Sequence, residues 1–403
     1  MRRRSRRALA GIAAAAVLAG CANGEPARST NTSATTSTTA AAADLALLAE
    51  NLLRLHPDPL HHVTRAELDA RTIDDPTDPD RLLVAAMRLA NLGIGEGHGG
   101  VYPWAQQSLQ AWPLHLYDFD DGLHVVGGIG APVGARLVAV GETPVEEVVE
   151  AVRPLVPHDN EWTVRSRLPG YLVFPAVLRG LGIDATTLTW ELPTGEMTTE
   201  APPATVPSGE LAELLGLFQA QVPPTLPYDR DRLFWSERRG DLLYVRWNQV
   251  QRADGDTTLA ELATAMVDDV TAGAVTRVVI DARHNPGGEI GAATPLVLAV
   301  TEIERARPGT VRFLVGRGTF SAASNVIARL AHELNVTVVG EPTGGNQRSY
   351  ADPRRIDLPA SGIVAFVNTR LYDSGDASWG PVQPDIVVAP TRSGDPALDA
   401  ASH

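Results

Sequence analysis

Residues Val311 to Ser324 read VRFLVGRGTFSAAS, and the reading of this stretch decides the fold. VRFLV is a short apolar run of the kind that forms a buried strand. Gly316 and Gly318 break it, Thr319-Phe320-Ser321 follows, and Ala322 to Leu330 reads as a helix. A strand, a glycine turn, a serine and a helix together suit a nucleophile. The turn lifts the hydroxyl clear of the sheet, and free N–H groups at the helix start stabilise an oxyanion. The same order also describes an ordinary serine N-cap, so the flanking sequence has to decide.

On the N-terminal side, Leu242 to Trp247 reads as a strand and Leu259 to Thr271 as an amphipathic helix. Arg277 to Asp281 reads as an apolar strand ending at Asn285-Pro286-Gly287-Gly288, with a helix from about Ile290 to Ile303. On the C-terminal side, Val336 to Val339 is a strand running into Gly340 to Gly345. Strands alternating with helices predict a layered α/β core with at least partly parallel strands. Ligands in such sheets gather beyond the carboxyl ends of the strands, so the loops at 285–288, 319–321 and 340–345 are expected to converge on one edge. The Pro286-Gly287-Gly288 turn offers unobstructed backbone N–H groups; alone it reads equally as a tight turn.

The chain has 403 residues, 44% hydrophobic and 20% charged, enough for one sizeable core or two to three modules. Its net charge of −14 argues against a basic nucleic-acid surface. All 34 basic residues are arginine, which excludes a lysine base. Cys21 is the only cysteine, so disulfides within the chain and cysteine-ligated metal sites are excluded. The sequence contains no G-x-S-x-G elbow, Walker loop or HExxH motif. Gly93-x-Gly95-x-Gly97 follows helical sequence, which excludes a dinucleotide fingerprint. His61-His62 reads as a helix-terminal pair, with no second cluster to make a metal site. No metal and no cofactor is expected.

Arginines 2–4, 6 and 7 precede the apolar run Ala8 to Ala19, which is too short for a membrane span. Leu18-Ala19-Gly20-Cys21 resembles the lipobox of bacterial lipoproteins. The resemblance implies cleavage before Cys21, lipidation of its thiol and attachment to the extracytoplasmic face of the cell membrane. A plain secretory signal is the alternative, and export follows from both. The expected organisation is a signal peptide at 1–20, a disordered Ser/Thr/Ala-rich tether at 21–43, a helical module at 44–104, a β-rich module and connection at 105–225, an α/β core at 226–393 and a tail at 394–403. Thr64-Arg65-Ala66-Glu67 predicts a capping box, Val145 to Val152 a short helix, and Glu210 to Ala220 a helix within the proline-rich connection.

Together, VVIDARHNPGG, GRGTFSAAS, VVGEPTGG and VQPDIVV are similar in order and spacing to the tail-specific or C-terminal-processing serine peptidases, over about Leu242 to Val388. The lysine-less site resembles the tricorn-core-like branch most. The resemblance implies a ClpP/crotonase-like α/β core with an N-terminal helical module and a reduced PDZ-like β-rich insert, near Gly134 to Val145. It implies Ser321 as nucleophile, with Gly287, Gly288 and Ala322 around the oxyanion. In the processing branch a lysine base follows the serine by about twenty-five residues. Asn346 stands near that position here, and the tricorn-like histidine is matched by His98 in Gly95-Glu96-Gly97-His98. Neutral imidazole suits a base near pH 7. Asp376 is expected to orient His98, with Asp373 and Glu96 as alternatives. Asp281 and Asp385 read as structural anchors. His284, Thr343, Gly344, Gly345 and Asn346 are expected to line the substrate pocket. The implied activity is cleavage of peptide bonds in peptide or protein substrates through an acyl-enzyme. A small-substrate esterase and an inactive peptide- or ligand-binding lipoprotein on the same fold are the alternatives.

Overall fold

The computed structural model describes residues 38–71, 77–207, 232–334, 336–373 and 380–403. Among these residues no helix is long and apolar enough to cross a membrane. The sequence-predicted helix at 210–220 lies outside them, as do the expected signal, Cys21 and Asp376.

The chain opens with α1 (Thr38–Leu55), α2 (Arg65–Asp69) and α3 (Pro79–Ala90). The capping box forms as expected: the Thr64 hydroxyl accepts the Glu67 N–H, and the Glu67 carboxylate accepts the Thr64 N–H. An antiparallel sheet follows, whose five-stranded path runs β1 (Leu114–Phe119), β2 (Gly122–Gly128), β3 (Arg136–Val140), β4 (Thr187–Leu192) and β5 (Gly195–Glu200) in that order, with the two-residue strand Thr143–Pro144 pairing β3 off it. The predicted helix α4 (Val145–Val152) leaves β3, and α5 (Glu161–Leu172) and α6 (Pro175–Gly180) come before β4. The helices α5 and α6 stand where strands were expected. Eight of the twelve residues of α5 are buried, Thr163, Ser166 and Gly170 among them, so the helix has no polar face to set a 3.6-residue period.

The N-terminal helices, the five-stranded sheet and α4–α6 share one hydrophobic core, through Leu52, Met87, Trp112, Tyr171, Phe174 and Trp190 among others. The expected boundary at residue 104 therefore does not separate two cores.

The second core carries the six-stranded sheet. Its strands are β6 (Phe234–Arg239), β7 (Leu242–Trp247), β8 (Arg277–Asp281), β9 (Val311–Val315), β10 (Thr337–Gly340) and β15 (Ile386–Val387), ordered β15-β10-β9-β8-β7-β6. All neighbours are parallel except the edge pair β6–β7. Val278, Ile280, Phe313, Val315 and Val338 face α7 (Leu259–Thr271), α8 (Thr294–Ala306) and α9 (Ala322–Leu334). The alternate residues Val279, Leu314 and Val339 face the other side. The expected C-terminal tail covers that side as α10 (Pro396–Ser402), burying Ala397 and Ala401. Between β10 and β15, β11 (Arg348–Ala351) pairs with β14 (Arg370–Asp373), and β12 (Arg354–Asp357) with β13 (Val364–Val367). This gives a layered α/β fold whose three loops after β8, β9 and β10 share one edge.

A buried charge network anchors that edge. Asp281 accepts from Tyr244 Oη at 2.7 Å, Arg246 Nη1 at 2.8 Å and Arg283 Nη2 at 2.6 Å. Arg283 also reaches Asp395, which caps α10. Burial opposes ionisation of Asp281, but Arg246 and Arg283 overcome it and hold the carboxyl well below the usual range. Replacing Asp281 with Asn strands the buried Arg246 guanidinium and leaves Arg283 with Asp395 alone. The expected cost is about 3–5 kcal/mol, read as a lower denaturant midpoint. Asp385 is structural as expected: its carboxylate accepts the Val338 N–H at 2.8 Å.

Candidate active site

Ser321 ends a turn that its neighbours hold on every side. Thr319 Oγ1 donates to the Ala282 carbonyl at 2.8 Å and accepts the Gly316 N–H at 3.1 Å. The Phe320 N–H donates to the Asn285 carbonyl at 2.9 Å, and the Gly345 N–H to the Thr319 carbonyl at 3.0 Å. Ser321 itself takes a left-handed conformation, φ 52°, which costs roughly 1–2 kcal/mol for an L-residue. The surrounding bonds sustain it and direct the hydroxyl off the helix. Ser321 Oγ lies 2.8 Å from His98 Nε2, across 223 residues of sequence.

The loop that carries His98 is equally constrained. The Gly97 N–H donates to Asp159 Oδ1 at 2.8 Å, and the Gly97 carbonyl accepts from Arg167 Nη1 at 2.6 Å and Tyr102 Oη at 3.0 Å. A Cβ on Gly97 would stand 2.6 Å from the Phe320 ring and 2.7 Å from Asp159 Oδ1, so no side chain fits at the position before His98. The His98 ring packs on Phe320 at 4.7 Å, and the Arg167 guanidinium covers the same phenyl at 4.7 Å. Burial pushes the His98 pKa down to about 3; Arg167 adds to the shift and the Tyr350 carbonyl opposes it. The ring is therefore neutral and able to accept a proton. Among the described residues, no acceptor meets Nδ1 in full hydrogen-bond geometry.

The two alternative orienting acids point elsewhere. Glu96 accepts from Asn368 Nδ2 at 2.7 Å and lies 2.8 Å from His56 Nε2. Asp373 faces Arg348 at 3.4 Å. His56, His61 and Glu96 bring potential ligand atoms within 4.8 Å of one another. The Asp58 N–H donates to His56 Nδ1 at 3.1 Å, which places the ring proton on Nε2, toward Glu96. In that tautomer Nε2 turns its proton, not a lone pair, toward Glu96 Oε1 at 2.8 Å. The cluster instead grips the base loop two residues before His98.

The oxyanion assignment needs one correction. The Gly287 N–H already donates to Asn285 Oδ1 at 3.0 Å. Among the described residues, the amides of Ala322 and Gly288 have no acceptor and are the available donors. Gly287 is needed for close approach: with φ 104°, a Cβ there would lie 2.6 Å from Ser321 Cβ and 3.0 Å from the Ala322 nitrogen. Gly287→Ala is expected to slow serine-directed labelling about 100-fold by displacing the hydroxyl. Circular dichroism should show the fold retained.

The substrate-pocket assignments also change. Thr343 and Asn346 are buried, and their side chains are spent inside the protein. Thr343 Oγ1 donates to the Gly345 carbonyl, and the Asn346 amide bonds the Asp159 carbonyl and Asn160. Gly344 lies against the Arg317 backbone and Gly345 against the Ser321 nitrogen, each too close for a Cβ. This loop is the wall behind the nucleophile. His284 is buried beside a different cavity, with Tyr117, Arg283, Gly316, Glu341 and Pro396, and neither Ser321 nor His98 borders it. Burial, then Arg246, holds the His284 pKa well below its ordinary value. The sequence reading missed Asp159, Arg167 and Asn160, which act through backbone groups far away in sequence and match no motif.

A serine on a tight turn after a parallel strand, facing a neutral histidine beside free backbone amides, is an arrangement suited to nucleophilic acyl transfer. Residues 241–388 match the model of Peptidase family S41. No curated protein matches the chain by sequence. Two structures of mature CPAF, one complexed with lactacystin, are 15% and 14% identical with TM-scores of 0.55 and 0.57. Each match covers 87% of this chain and 93% or 94% of the other. The tricorn protease is a distant match, 11% identical with a TM-score of 0.28 over 73% of this chain and 28% of its own.

Proposed function

We propose that the chain is an exported serine peptidase, lipid-anchored through Cys21, that cleaves peptide bonds with Ser321 as nucleophile and His98 as base. The observation that carries this reading is the 2.8 Å contact between Ser321 Oγ and His98 Nε2. Ser321 attacks the scissile carbonyl while its proton passes to Nε2. The carbonyl oxygen takes the negative charge and is met by the Ala322 and Gly288 N–H groups. As the tetrahedral species collapses, the imidazolium gives its proton to the leaving amine. Water then attacks the acyl-enzyme, passing a proton to His98, and the serine is regenerated with release of the new carboxyl group.

The surroundings that keep His98 neutral also make its imidazolium costly. Asp376 is the proposed acid for that step, on its place in the sequence shortly before Gln383-Pro384-Asp385. A groove of about 610 Å³ lies between α8, α9 and β14, near the nucleophile but lined by neither Ser321 nor His98. It includes Asn325, one helical turn from Ser321, and runs past Ile290, Val297 and Leu298 to Arg329. Reaction with a fluorophosphonate, combined with hydrolysis of a quenched peptide library, tests the proposal. An adduct on Ser321 with peptide cleavage supports it. Ester hydrolysis without any peptide cleavage overturns it.

A further inference from the structure

We propose that Asp159 is a positioning residue for the Ser321–His98 pair, its buried carboxylate tying the base loop to the wall behind the nucleophile. This rests on the peptidase reading above. The side chain is fully buried between the two loops. Its Oδ1 accepts the N–H of Gly97, the residue before His98, at 2.8 Å. Its Oδ2 accepts the Asn346 N–H at 3.1 Å, next to Gly345, which lies against the Ser321 nitrogen. The Asp159 carbonyl takes the Asn346 side-chain amide at 2.7 Å, and its N–H donates to Thr163 Oγ1 at 3.2 Å. One carboxylate thereby sets the spacing between base and nucleophile.

Both carboxylate oxygens face N–H donors, so only the ionised group serves both. A protonated carboxyl turns an O–H toward one of them and loses that bond. Burial raises the Asp159 pKa to about 7 against the two amides and Arg167, and Glu96 raises it further. Arg167 on α5 and Glu96 and Tyr102 beside the base loop are the charged or titratable groups that act on it. Asn346 and Thr163 are neutral. The Tyr102 hydroxyl, pushed up to about 12 chiefly by burial, stays protonated. The His98 pKa lies far lower, at about 3. Below neutrality the site should therefore loosen at Asp159 while its base stays neutral.

The test is the pH dependence of kcat/KM and of fluorophosphonate labelling, in the full chain and in Asp159→Asn. The wild type should gain activity through a step near pH 7 and level off above it. Asp159→Asn should reach a plateau about 10-fold lower, with KM unchanged within about twofold and no step between about pH 6 and 8. A purely structural role would reduce the active fraction and leave the step in place. A step of unchanged midpoint in the variant, or none in the wild type, overturns the proposal. If the variant does not fold, an infrared titration of wild-type carboxyl bands must share its midpoint with the labelling step, and unequal midpoints overturn it. Continued cleavage by Ser321→Ala would instead remove Ser321 as the nucleophile of the proposed function, so the two failures are distinguishable.

Discussion

Ser321→Ala is expected to abolish peptide hydrolysis, lowering kcat by about 10⁶-fold, the scale at which removing the nucleophile of such a unit acts. The Ser321 hydroxyl faces His98 at 2.8 Å, and the backbone holds a left-handed conformation that presents it there. Alanine keeps that backbone, since Ala and Ser meet the same Cβ constraint. The loss of one partly buried hydrogen bond should change stability by only about 1 kcal/mol. Activity should vanish while the unfolding midpoint barely moves. A variant that still hydrolysed peptides at a tenth of the wild-type rate would exclude Ser321 as the nucleophile.

His98→Ala is expected to lower kcat by on the order of 10⁴-fold or more while leaving Ser321 in place. Without the imidazole, the serine proton has to leave to water from a hydroxyl that is hardly ionised near pH 7. Among the described residues no second imidazole can substitute. His284 borders another cavity, and His56 and His61 are engaged around Glu96. Because the His98 pKa sits at about 3, the wild-type base should not titrate off between pH 5 and 8. Any activity step in that window belongs to another group. Peptide hydrolysis by His98→Ala within tenfold of wild type would refute the base assignment.

Much of the fold was legible from local pattern. VRFLV and RVVID are mostly apolar, without a polar alternation, because β9 and β8 are buried on both faces, and the glycines after them mark the carboxyl edge. The capping box at Thr64 forms where its spacing predicted. The helix α5 was hidden by burial on all sides, which erases the periodicity that announces a helix. The short α10 shows its purpose only once Ala397 and Ala401 meet the sheet. In the site, Ser321 and His98 carried motif-level signals. Asp159 did not, because it bonds the backbone of Gly97 and Asn346, positions whose relation exists only in three dimensions. Gly287 could be read as important but not why. Its own amide is occupied by Asn285, and its missing Cβ is what admits Ser321.

The central claim is that two residues 223 positions apart form one reactive unit. Its most direct test is fluorophosphonate labelling followed by peptide mass mapping, with rates compared between wild type and His98→Ala. The account predicts a single adduct on Ser321, formed at least about 10³-fold more slowly without the imidazole. An adduct on another residue, or equal rates in the two proteins, would contradict it.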